Sequence, residues 1–213
     1  MAMTRTALIA GASGLVGSHL LELLLADEHW DRVVSVGRRT LDVVHPRLEQ
    51  RVVGFPQIGD VPAADDVFCC LGTTIKVAGS QDAFRAVDHD AVVALAAAAH
   101  RAGATQFLHV TALGASAGSR IFYNRVKGET ERDVAASGIP TTVAFRPSMI
   151  DGHRPDANRP GETIGLVAMR AVGPLLGRLR PNRASDIARA MVREAKAGTP
   201  GHRVVDAGQF GRA

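Results

Sequence analysis

Short apolar runs alternate along this chain with longer stretches whose apolar residues recur at helical spacing. Residues 7–10 form the first run, and residues 18–25 carry the first helical stripe. Residues 32–37, 50–54, 67–71, 105–111 and 141–145 follow as further strands, and 203–206 as a final short one. The run at 67–71 is apolar throughout, as in a strand covered on both faces of a parallel sheet. Between the strands, residues 80–101 predict one long alanine-rich helix, with Ser80 as N-cap, Asp82 in its first turn and Gly103 past its end. A further helix is capped by Ser119, carries Tyr123 and Lys127, and is closed by Gly138-Ile-Pro. Residues 55–64 contain Pro56, Gly59 and Pro62 and leave little room for a crossover helix. Residues 148–160 read as a loop, 163–176 as a helix bent near Gly173-Pro174, and 184–196 as a last helix. Strands alternating with helices predict an α/β fold with a doubly wound parallel sheet, built as one domain over residues 1–213. Residues 148–200 would add a small region on the substrate side.

The first strand leads into Gly11-Ala-Ser-Gly-Leu-Val-Gly17 and then directly into the first helix. This strand, glycine turn and helix form the setting of a dinucleotide fingerprint. One glycine lets the chain turn with positive φ, one lets the backbone approach a pyrophosphate, and one lets helix and strand pack closely. The free N–H groups at the helix start would face the phosphates. At the end of the second strand stand Arg38 and Arg39, where a carboxylate would accept hydrogen bonds from the ribose of NAD. Two guanidiniums match a 2′-phosphate in charge and forked geometry, which favours NADP(H). Gly72-Thr73-Thr74 leaves the fourth strand at its carboxyl end, where ligands of such sheets sit. Phe55 fits either an adenine face or the core.

Composition narrows the classes. The chain has 213 residues, 46% hydrophobic and 4% aromatic. A core of Ala, Val, Leu and Ile is expected. The net charge is +4, but no run of five like charges appears and aromatics for base stacking are scarce, so no nucleic-acid partner is expected. No run of 18 apolar residues is present, so no membrane span is expected. The apolar run after Arg5 is broken by Gly11 and Gly14 and lacks a cleavage pattern. Cys69 and Cys70 read as small hydrophobes on opposite faces in a reducing compartment, which points to the cytoplasm. The eight histidines show no paired ligand spacing, so no metal is expected.

Tyr123 is the single tyrosine of the chain, and Lys127 is one of three lysines. Four residues apart on a helix, they share a face. A phenol with a reference pKa near ~10 is a poor base at neutral pH, and an adjacent ammonium favours the phenolate. Thr111, at the end of the fifth strand, supplies a hydroxyl for a substrate oxygen. Together these make a proton donor or acceptor beside a hydride carrier.

Gly11-x-x-Gly14-x-x-Gly17 combined with Tyr123-x-x-x-Lys127 resembles the short-chain dehydrogenase/reductase superfamily, in its atypical or extended branch. Cys70-Leu-Gly-Thr-Thr74, Phe84-Arg-Ala-Val-Asp88, Tyr123-Asn-Arg-Val-Lys-Gly-Glu129, Phe145-Arg-Pro147 and Arg159-Pro-Gly-Glu162 are similar to the NADPH-binding, oxidoreductase-like group around the HIV-Tat-interacting protein. The resemblance implies an NAD(P)-binding Rossmann fold with a small C-terminal helical substrate region. It places Gly11, Ser13, Gly14, Leu15, Val16 and Gly17 at the pyrophosphate, and Arg38 and Arg39 at the 2′-phosphate. Leu71, Gly72 and Thr73 would sit near ribose and nicotinamide, with Pro147 and Ser148 flanking the nicotinamide amide. Tyr123 and Lys127 would act as in the superfamily, on a small carbonyl or alcohol substrate held between Tyr123 and residues 148–165. Arg154 and Arg159 stand in that segment either as anion ligands or as solvated loop residues. The group often carries Ser-Ser where this chain has Thr111-Ala112, so the hydroxyl is retained only if the first position supplies it. The C-terminal part is short beside the group, so the substrate pocket is expected to be small or shared with a partner chain, as in a homodimer. Some members of the branch bind NADP(H) as sensors or regulators, and that alternative stays open.

Overall fold

The computed structural model describes residues 5–151 and 181–211. Among these residues, seven strands form one parallel sheet: β1 Arg5–Ala10, β2 Trp30–Gly37, β3 Leu48–Val52, β4 Asp66–Cys69, β5 Gln106–Val110, β6 Thr141–Arg146 and β9 Gly201–Asp206. Their order across the sheet is β3-β2-β1-β4-β5-β6-β9. Two-residue strands β7 Ile150–Asp151 and β8 Asn182–Arg183 pair beside the sheet. The order reverses direction between β1 and β4, which opens a crevice at the carboxyl ends of those two strands.

Period-two burial explains the layers. Ile9, Phe68, Leu108, Val143 and Phe145 face one side, and the helices α1 Leu15–Ala26 and α6 Ala184–Ala197 cover them. Leu8, Ala10, Val67, Cys69 and Phe107 face the other, under α4 Ala91–Arg101 and Val134 of α5 Phe122–Ala135. Cys69 and Cys70 accordingly pack on opposite faces. The amino end of the sheet is tied by Asp66, fully buried, whose carboxylate accepts from Arg5, Trp30 and Gln106. Three donors compensate the cost of burying that charge. The other end of the sheet is left to loops and helix starts.

Several expectations shift. The third and fourth strands each begin earlier in the chain than the pattern suggested. The connection between them carries no helix, and Phe55 packs partly buried against the core. Gly201 extends the last strand, which pairs with β6 along its whole length. The long helix over 80–101 is in fact interrupted: α3 Gln81–Arg85, a π-helical turn Ala86–Asp90, then α4. A short helix α2 Ile75–Ala78 precedes it, capped by the Thr74 side chain. Ser119 does not cap the next helix. Its hydroxyl accepts from the N–H of Ile121, and α5 starts at Phe122. The expected helix over 163–176, Pro160, Arg154 and Arg159 lie outside the described residues.

Candidate functional site: a dinucleotide cradle and a tyrosine–lysine pair

The glycine spacing is enforced by atoms. Gly11 has φ +85, and a β-carbon there would meet the Cys70 carbonyl group at 2.6 Å. A β-carbon on Gly17 would lie 2.1 Å from the Gly11 carbonyl oxygen. The N–H of Gly14 donates to that same oxygen at 3.0 Å, closing the turn. α1 then starts without a side-chain cap. Its first N–H groups therefore point out beside exposed Ser13 and half-buried Gly14 and Leu15, where an anion would satisfy them. Val16 and Gly17 are buried beneath. These features fit a dinucleotide pyrophosphate.

Pairing Ala10 with Val36 sets the tips of β1 and β2 side by side. Arg38 and Arg39 follow β2, both exposed, next to the glycine turn. Neither has an ion-pair partner among the described residues.

Lys127 sits at the carboxyl end of the sheet, on the first turns of α5. Its ammonium lies 2.7 Å from Asp88 Oδ1, with both side chains buried. The second oxygen of Asp88 accepts the N–H of Thr73 at 2.8 Å. A β-carbon on exposed Gly72 would stand 3.5 Å from Asp88 Oδ1 and 3.9 Å from the ammonium. The loop after β4 and the lysine of α5 therefore meet over one carboxylate. Burial alone would discharge the lysine, but the negative charge of Asp88, helped by nearby Tyr123, holds its pKa above the usual value. Tyr123, one turn earlier, packs its ring 5.3 Å from Phe84. Gly128 lets α5 press on the loop after β5. A β-carbon there would come within 2.2 Å of Ala117 N.

Thr111 is placed differently from expectation. It is buried at the end of β5, with its hydroxyl 2.6 Å from Glu131 Oε1 and 3.2 Å from the Phe145 carbonyl. Glu131 also takes two nitrogens of Arg146. The hydroxyl thus faces a buried carboxylate. Pro147 and Ser148 leave β6 on the same rim. The Pro147 carbonyl accepts from Leu113 N–H, and Ser148 N–H donates to Asn182 Oδ1 at 3.0 Å. Leu71 packs partly buried against the core beside Cys69.

Sequence reasoning missed Asp88, Glu131 and Asn182 as parts of this site. Asp88 carried a signal: it stands four residues from both Phe84 and Val92, on the buried stripe of its helix. A carboxylate on an apolar stripe needs a partner.

The family model described as "NAD dependent epimerase/dehydratase family" matches residues 7–114. The chain belongs to this family. It is 33% identical over 203 residues to "Protein fmp52, mitochondrial" of Aspergillus clavatus, covering 89% of this chain and 86% of that protein. It is 34% identical over 167 residues to "Protein HTATIP2" of Rattus norvegicus, covering 75% and 68%. Among solved structures it resembles the Bordetella bronchiseptica enzyme WbmH in complex with NAD+, with a TM-score of 0.70 and 18% identity over 97% of this chain and 77% of that one. This epimerase/dehydratase kinship confirms the superfamily resemblance read from the glycine and tyrosine motifs. It also confirms the doubly wound fold and the oxidoreductase character of the family. It overturns one expectation. Fungal relatives are named as mitochondrial proteins, so paired cysteines and a missing secretory pattern do not place an epimerase/dehydratase family member in the cytoplasm. A reduced thiol is compatible with more than one compartment.

Proposed function

We propose that this protein is an NADP(H)-dependent oxidoreductase of the atypical short-chain dehydrogenase/reductase type, acting on a small carbonyl or alcohol substrate. One observation carries the reading: the glycine cradle, Arg38 and Arg39 (without an ion-pair partner among the described residues), and the Tyr123–Lys127 pair all stand at the carboxyl ends of the sheet. A nicotinamide nucleotide bound there supplies the carbon that gives or takes hydride. The chain does the rest. Gly11, Gly14 and Gly17 with the start of α1 hold the pyrophosphate, and the two arginines take the 2′-phosphate. Tyr123 moves the proton at the substrate oxygen, and the ammonium of Lys127 favours its ionised form and reaches the ribose. Calorimetry tests the cofactor. NADPH should bind more tightly than NADH, and replacing Arg38 and Arg39 by Ala should remove most of that difference. Equal affinities in the parent protein would sink it.

A second reading has its own support. The Thr111 hydroxyl is engaged by Glu131, and Ala112 follows it without a hydroxyl. A protein that binds NADP(H) as a regulator with little turnover would tolerate that arrangement. Tyr123→Phe separates the two. Loss of carbonyl reduction with binding intact supports the enzyme; tight binding with no turnover on a broad carbonyl panel supports the regulator.

A further inference from the structure

We propose that Asn182 is a positioning residue, a brace that fixes the rim of the sheet beside the nicotinamide end of the dinucleotide. The proposal rests on the reading of the site as a dinucleotide cradle. A dinucleotide on a doubly wound sheet straddles the point where the strand order reverses. That point lies between β1 and β4. Arg38 and Arg39 follow β2 and, in that reading, hold one end of the molecule. The other end then lies over the tips of β4, β5 and β6, which the strand register sets side by side. Pro147 and Ser148, the chain leaving β6, form the far side of that half.

Asn182 joins three segments that are distant in the chain. Its Oδ1 accepts from the Ser148 N–H at 3.0 Å and from the Ser148 hydroxyl at 3.1 Å. Its Nδ2 donates to the Ala207 carbonyl at 2.9 Å. Its own N–H donates to the Met149 carbonyl at 2.7 Å, where β7 and β8 pair. The Ala207 end is firm. Asp206 and Gln209 close the turn Ala207–Gln209 with reciprocal hydrogen bonds. Buried Phe210 follows, with its ring 6.3 Å from Phe145 of β6. On the opposite side the Leu113 N–H holds the Pro147 carbonyl at 2.8 Å. The β6 exit is therefore braced from the loop after β5 and from the turn after β9. A carboxamide suits the second brace because one planar group carries both a donor and an acceptor. A rim fixed before the nucleotide arrives spares the cost of ordering it on binding. It also holds the hydride-bearing ring in one place relative to Tyr123.

Two ligands separate this role from a merely structural one: NADPH, and 2′-phospho-ADP-ribose, which lacks the nicotinamide. In calorimetry on the full chain, Asn182→Ala should weaken NADPH about tenfold or more and leave 2′-phospho-ADP-ribose within about twofold of the parent. The fluorescence of bound NADPH should also fall toward that of the free nucleotide, because the reduced ring is held less still. Equal weakening of both ligands marks a general structural role and overturns the proposal, as does an unchanged NADPH affinity. If Asn182→Ala does not fold, Asn182→Ser, too short to span the two ends, is measured in its place with the same outcomes. A parent that binds neither ligand sinks the proposed function and the brace with it. A parent that binds both, with an Asn182→Ala that matches it, sinks the brace alone.

Discussion

Gly17 is seated against the carbonyl of Gly11 so closely that a β-carbon would have to stand 2.1 Å from its oxygen. Helix α1 and the turn out of β1 are locked together by this absence of a side chain. Gly17→Ala must push the helix off the strand, at a cost of about 2 kcal/mol or more. Urea unfolding should show it as a lowered midpoint, and nucleotide binding should fall with it. Gly14→Ala is milder, because its β-carbon would stand 3.2 Å from the same oxygen. A Gly17→Ala variant as stable as the parent would contradict the cradle.

Gly128→Ala should separate stability from site geometry less cleanly. Its β-carbon would strike the backbone of Ser116 and Ala117, which are pinned to α5 by the hydrogen bond from Ser116 N–H to the Asn124 carbonyl. The loop must move away from the turn that bears Tyr123 and Lys127. A drop of about 1–3 kcal/mol is expected, with a loss of nucleotide binding that a remote variant of equal instability would not show.

Thr111 divides the two functional readings. Thr111→Val leaves Glu131 without one donor while Arg146 still holds it, so stability should fall by about 1–2 kcal/mol. If the hydroxyl serves the substrate as well, kcat falls far more than that loss explains, and Thr111→Ser restores it. If it serves only Glu131, Thr111→Val loses no more activity or nucleotide affinity than its lost stability explains, and Thr111→Ser recovers the hydrogen bond while losing only the roughly 1 kcal/mol of one buried methyl. Glu131→Ala should be worse, about 3–5 kcal/mol, because it strands Arg146 as well.

His109 makes stability depend on pH. It is fully buried on β5, neither side-chain ring nitrogen has a hydrogen-bond partner among the described residues, and burial lowers its pKa from 6.5 to about 3. The unfolded chain therefore binds a proton between those values that the folded chain refuses. Stability is full above pH 6.5 and declines as pH falls toward 3. At pH 5 the loss is about 2 kcal/mol from this residue. His109→Leu should flatten denaturant midpoints measured between pH 5 and 7. An equally steep decline in that variant would assign the dependence elsewhere.

Much of this site was written in the chain because its chemistry is local. A glycine turn between strand and helix, two arginines at a strand end, and a tyrosine four residues before a lysine are all short-range patterns. The long helix over 80–101 was misread for the opposite reason. Its alanine-rich stretch has the propensity to continue, and the interruption at Ala86–Asp90 lies where Asp88 meets Lys127 and Thr130 of a distant segment. The Thr111 hydroxyl was aimed at substrate by its position at a strand end. It instead faces Glu131, twenty residues on, whose partner Arg146 comes from another strand.

By itself the sequence determined the succession of buried strands and covering helices, the glycine turn between β1 and α1, and the tyrosine–lysine offset. Periodicity, glycine sterics and helical geometry act within a few residues. Only the tertiary structure decided which buried carboxylate meets which base: Asp88 with Lys127, and Glu131 with Arg146 and Thr111. Those partners are far apart in the chain, and a charge excluded from water is settled by whatever the fold brings within about 3 Å.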